Sequence, residues 1–155
     1  MPQRWLSADE QAAWRSSLSA VQLLNAAVDS QLQRDSGLSH ADYEILVRLS
    51  EAPEHALRMS ELADRALFSR SRLSHAVGRL ENSGLVRREP YPDDRRGQCA
   101  VLTDLGMQTL ATAAPGHVET VRRVLFAQMT PQQVEQLREI AQAVLASVSP
   151  PPAAG

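Results

Sequence analysis

The chain has 155 residues, 43% of them apolar and 22% charged, with a formal net charge of −2 at neutral pH. That length predicts a single domain, 1–155, with enough apolar residues for a packed core, and the near balance of charge excludes a protein coated in cation. No stretch approaches the ~18 consecutive apolar residues of a membrane span, and no apolar run marks a signal peptide. The one Cys excludes an internal disulfide, so a cytoplasmic protein is expected.

Ser7 and Glu10 form a capping box, so a helix is expected from about Ala8. Trp14, Leu18, Val21, Leu24, Val28 and Leu32 recur along it at three- and four-residue steps, and it runs to about Arg34 before Asp35-Ser36-Gly37. So long a stripe needs a surface, and both later helices and a second copy of the chain are expected to supply it. Ser39 is placed to cap a second helix, with Asp42 as the other half of a capping box and Tyr43, Leu46, Val47 and Leu49 as its apolar face. This helix is expected to stop near Ala52-Pro53, because Pro disfavours helical backbone in the residue before it. Leu57-Arg58-Met59 reads as a short extended piece able to pair with later strands.

From Ser60 to Gly97 the pattern changes. Two short helical segments, MSELADRALFS and SRSRLSHAVGRLENSG, follow almost head to tail, with Ser60 and Ser69 at N-cap positions and Gly84, backed by Leu85, at a C-terminal αL cap. In the second, Leu73, Ala76, Val77 and Leu80 form the core stripe. The opposite face carries Ser71, Ser74, His75 and Gly78, with Arg70, Arg72 and Arg79 around it. Small and hydrogen-bonding groups suit a helix face near base edges, and long cations suit its shoulders, where phosphates lie. Glycine in mid-helix costs roughly 1 kcal/mol against Ala, so Gly78 is expected to permit close approach of another backbone.

A strand (LVRREPYP), a tight polar turn over Asp93–Gly97 and a returning strand (QCAVLTD) complete a wing. Arg95 and Arg96 at its tip suit a narrow minor groove, and Asp94 is placed to hold the Arg96 guanidinium. The expected DNA-binding residues are therefore Ser69, Arg70, Ser71, Arg72, Ser74, His75, Arg79, Arg95 and Arg96, with Asp94 supporting the wing. The chain has no Lys, and between residues 58 and 96 nine Arg face six acids, a local +3 that leaves −5 for the remainder. A basic module on an acidic frame suits docking on DNA through one face.

Thr103 is placed to cap the next helix, with Leu105, Leu110 and Ala111 expected inward and a kink or break at Pro115-Gly116. The helical pattern resumes with Val118, Val121, Val124, Leu125 and Met129. Thr130-Pro131-Gln132-Gln133 starts a last helix, whose stripe is Val134, Leu137, Ile140, Ala141, Val144 and Leu145. Residues 149–155, in the tail SPPPAAG, are expected to be disordered. The four His (40, 55, 75, 117) show no metal-ligand spacing and no base–nucleophile pair is visible, so neither a metal, a cofactor nor an enzyme is expected. Cys99 reads as a small strand residue rather than a redox sensor.

The run L-x-x-x-V-x-R-L-E-x-x-G-L-V-x-R from Leu73 to Arg88, the D-x-R of Asp94 and Arg96, and the L-T-x-x-G of Leu102, Thr103 and Gly106 together resemble the winged-helix core of the MarR family of bacterial transcription regulators. The likeness extends from about Trp5 to Val148 and departs from the family at Gly78, where an acid or other polar residue is common. It implies a mainly α fold with a small β-wing: a winged helix-turn-helix core (39–103) between dimerisation helices (5–36 and 104–148). It also implies a homodimer on pseudo-palindromic double-stranded DNA, most often a repressor released by a small-molecule effector. Trp14 and Tyr43 are the aromatics best placed for an effector cleft. The alternative use of the same fold is a protein-interaction module whose arginine face meets an acidic partner.

Overall fold

A computed structural model describes residues 5–148, the side chain of Arg95 excepted; the tail expectation for 149–155 lies outside the described residues. In chain order the elements are α1 (Ala8–Ser36), α2 (His40–Ser50), a 3-10 turn (Pro53–His55), β1 (Ala56–Arg58), α3 (Met59–Ala66), α4 (Arg70–Asn82), β2 (Val86–Tyr91), β3 (Asp94–Leu102), α5 (Asp104–Val124), a second 3-10 turn (Phe126–Gln128) and α6 (Pro131–Val148). The fold is mainly α, with one antiparallel sheet in the order β1-β3-β2. Ala56–Arg58 pairs with Cys99–Val101, so the short extended piece before the helix-turn-helix is the third strand expected from the sequence.

Local signals set most boundaries. Ser7 accepts the Glu10 N–H at 3.2 Å while the Glu10 carboxylate accepts the Ser7 N–H at 2.7 Å. Ser39, Ser69 and Thr103 cap α2, α4 and α5 by accepting N–H bonds from Asp42, Arg72 and Gly106. Thr130 and Gln133 bond reciprocally at the start of α6. Gly84 has φ +73°, and Leu85 N–H reaches back to the Leu80 carbonyl at 2.9 Å, which closes α4 as a Schellman turn. Ser60 is not a cap: β1 runs straight into α3, which starts at Met59, and Arg58 stands at its N-cap without a side-chain bond.

The core is the winged-helix unit with the second half of α1 and part of α5 laid over it. Leu32, Ile45, Leu46, Leu49, Leu62 and Val77 are fully buried, and Leu73, Ala76 and Leu80 join them as the α4 stripe requires. The α1 stripe is buried only at Val28 and Leu32; Trp14, Leu18 and Val21 are each more than half exposed. α6 buries none of its residues.

Two expectations fail in α5. The helix runs unbroken through Pro115. Pro115 and Ala111, whose carbonyl loses its partner, both face solvent, and Leu110, Ala113 and Thr120 anchor the helix on either side. Tertiary packing therefore overrides the roughly 3 kcal/mol preference against interior Pro. Leu105 and Ala111 point outward, not inward. Gly106 takes the inward place, where a Cβ would stand 2.1 Å from the Leu85 carbonyl oxygen.

Candidate nucleic-acid interface

α4 is seated by its apolar stripe, and this turns the other side out. Ser69, Arg70, Ser71, Arg72, Ser74, His75 and Arg79 are all exposed, as is Arg96 on the wing. The side chain of Arg95 lies outside the described residues. Arg70 and Arg96 line the same two small clefts, of about 240 and 270 Å³, between the start of α4 and the wing. Arg58, Ser60, Arg88 and Gln98 contribute to their walls, and Asp94 is the one acid. Among the described residues neither Arg70 nor Arg96 is held in an ion pair.

The other arginines are partly committed. Arg79 Nη2 lies 2.9 Å from Asp42 Oδ1, so the second half of the expected α2 capping box instead braces α4. The Arg72 guanidinium rests over the Phe68 ring, 4.0 Å from its centroid. Arg88 reaches from β2 across α4 and donates from Nη2 to the Ser74 carbonyl at 2.9 Å, with Nε 3.4 Å from Glu81. Arg88 and Arg58 are not among the DNA-binding residues expected from the sequence; only the strand register places them beside α4 and the wing.

The wing differs from the tight turn expected over Asp93–Gly97. The chain reverses at Pro92–Asp93, and Asp94 already pairs with Tyr91. The next pairing is Pro90 with Gln98, so residues 95–97 bulge out of the ladder. Asp94 does not hold the Arg96 guanidinium. Its Oδ1 accepts the Arg96 backbone N–H at 2.9 Å, and its Oδ2 lies 3.6 Å from Arg58 Nη2.

The two aromatics assigned to an effector cleft have different surroundings. Trp14 is 57% exposed, whereas Tyr43 is buried and packs on His117, ring centroids 4.4 Å apart. Neither lines the cleft of about 700 Å³ between α1, the start of α2 and the turn after α3, whose walls include Asp29, His40, Glu44, Phe68 and Arg72. His40, its Nε2 3.7 Å from Glu44 Oε1, holds the Glu44 carboxyl below its usual range. Burial pushes the Cys99 thiol up, against the pull of Arg58, which keeps it protonated at neutral pH. Among the described residues no His, Cys, Asp and Glu group is arranged to hold a metal, and no helix is long and apolar enough to cross a membrane.

Comparison with known proteins bears on this surface. The sequence profile described as the MarR family matches residues 36–97. The chain is similar to Sco3205, a MarR family transcriptional regulator from Streptomyces coelicolor whose crystal structure is in complex with DNA, at 51% identity over 96% of this chain and 93% of that one, with a TM-score of 0.94. It is also similar to AbsC, a MarR family transcriptional regulator from the same organism, at 42% identity over 94% of this chain and 98% of that one, with a TM-score of 0.89. The transcriptional repressor YetL of Bacillus subtilis is 30% identical over 57% of this chain, and the match spans about half of YetL, 53%.

Proposed function

The chain belongs to the MarR family of transcriptional regulators, and from that premise we propose that it is a sequence-specific double-stranded DNA-binding regulator. The observation that carries this reading is the shared cleft: Arg70 at the start of α4 and Arg96 on the wing face one space, flanked by the exposed hydroxyls and imidazole of Ser71, Ser74 and His75. In this reading α4 enters a major groove, Arg96 enters the neighbouring minor groove, and Arg70 and Arg79 meet phosphates. Arg79 would do so while shared with Asp42, so it ties the register of α4 on the duplex to the position of α2.

The protein acts as a homodimer, its exposed α1 and α6 stripes covered by a second copy, and reads a pseudo-palindrome. It is a repressor, as YetL is named. A small molecule in the cleft between α1 and the turn after α3 releases it, because Arg72 belongs both to that cleft wall and to the α4 surface.

Selection from randomised duplexes by the full-length protein is expected to enrich a pseudo-palindromic site. Arg96→Ala is expected to weaken binding to that site by about 1–3 kcal/mol. No enrichment of any sequence would favour the protein-interaction use of the fold instead.

A further inference from the structure

β3 is nine residues long but β1 only three, and the ladder between them ends where Arg58 pairs with Cys99. Beyond that point the wing tip has no strand beside it on the β1 side. The Arg58 side chain stands there instead. Its guanidinium lies over the Tyr91 ring, 3.7 Å from the centroid, and its Nη2 is 3.6 Å from Asp94 Oδ2. The other oxygen of that carboxylate accepts the Arg96 N–H at 2.9 Å. Gly97 closes the same knot: a Cβ there would stand 3.2 Å from Asp94 Oδ2 and 3.3 Å from Tyr91 Cβ.

We propose that Arg58 is a positioning residue, clamping the bulged wing tip through Tyr91 and Asp94 so that Arg96 is aimed before DNA arrives. The inference rests on the reading of the wing as a DNA contact. Stacking and ion pairing at exposed sites are each weak, but here they act on one short bulge that no strand pairing holds. Ordering Arg96 in advance spares that loss of freedom on binding. A planar guanidinium can stack on a ring and face a carboxylate at once, and a lysine ammonium cannot reproduce that geometry. The competing role for Arg58 is a direct phosphate contact, since it lines the same cleft as Arg70 and Arg96.

Two measurements on the full-length protein separate these roles. In the absence of DNA, Arg58→Gln is expected to speed tryptic cleavage after Arg96 about tenfold, as a clamp released by local opening requires. Tyr91→Leu, which keeps the charge of Arg58 but removes its platform, should do the same. Unchanged cleavage in both variants overturns the clamp. For binding, the probe is a duplex recovered from a randomised pool by the wild-type protein. Arg58→Lys and Arg58→Gln should each weaken binding about tenfold, and both effects should vanish in an Arg96→Ala background. Wild-type affinity in Arg58→Lys, or an undiminished effect of Arg58→Gln when Arg96 is absent, makes Arg58 a phosphate contact and overturns the proposal. If Arg96→Ala alone changes nothing, the DNA reading of the wing fails, and the cleavage rates still decide whether the clamp exists.

Discussion

Gly78 and Gly106 both lie within helices, and their neighbours separate them. At Gly106 a Cβ would collide with the Leu85 carbonyl, so the fold itself demands glycine. At Gly78 a Cβ would meet only the Arg88 guanidinium, at an ordinary 3.8 Å, so nothing inside the chain forbids a side chain. Gly78→Ala is therefore expected to stabilise the protein by about 0.5–1 kcal/mol, the ordinary gain from replacing mid-helix glycine. The added methyl falls on the face of Ser74 and His75, so the same change is expected to weaken duplex binding by about 1 kcal/mol or more. Denaturant midpoints and binding isotherms on one preparation test both halves. A stability gain with unchanged affinity would show that no close approach occurs at Gly78. In the sequence Gly78 stands out and Gly106 is only the last position of the L-T-x-x-G run, because the clash that explains Gly106 comes from a residue 21 positions away, on the other side of the wing.

The starts of α1, α2, α4, α5 and α6 were legible from the sequence because Ser7, Ser39, Ser69, Thr103 and Thr130 bond to N–H groups within three residues, whereas α3 has no such cap. The buried stripe of α4 was legible for the same reason, since its period is local. Pro115 misled because what keeps α5 continuous is its packing on α1. Gly116 sits close enough that a Cβ would lie 3.0 Å from both Asp35 Oδ2 and Gln31 Nε2. The wing turn misled because its bulge depends on register with β2, the Arg58 and Arg88 contacts were hidden for the same reason, and the Arg79–Asp42 pair because it needs α2 packed on α4. The α2–α5 contact hides a titrating group as well. His117 packs on Tyr43, with the His40 ring 6.0 Å away, and its Nδ1 is buried without a partner among the described residues. Desolvation by burial, then His40, lower its pKa from the ordinary 6.5, and Glu44 only partly opposes them. The folded protein then resists a proton that the unfolded chain accepts. Stability from this site is complete above the ordinary histidine value and is lost as pH falls toward the depressed one. Unfolding midpoints between about pH 5 and pH 8 should decline on the acid side, and His117→Gln should flatten that part of the decline. An unaltered profile in the variant would place the titration elsewhere.

At the scale of the molecule, two helices carry apolar stripes that their own chain leaves open. Ile140 is 63% exposed, Val144 55% and Leu145 48% on α6, and Trp14, Leu18 and Val21 show the same on α1. Isolated exposed apolar residues need no explanation, but two helical stripes flanking one reading module do. In the proposed homodimer a second copy would cover both at once and place the two α4 helices on one face of the pair, related by the two-fold axis, the geometry a pseudo-palindrome requires. Because α6 buries nothing at home, charge placed on its stripe should break the pair without unfolding the winged helix. The double variant Ile140→Glu, Val144→Glu is expected to scatter light as a 17.0 kDa chain, and the wild type is expected at twice that mass. Losing the linkage between half-sites should cost about 10²–10⁴-fold in affinity for the full site. The slope of log affinity against log salt, about −0.9 per phosphate neutralised, should fall by about half. A wild-type protein that is monomeric at micromolar concentration, or a double variant that keeps both mass and slope, would require the two stripes to be covered by something other than a second copy.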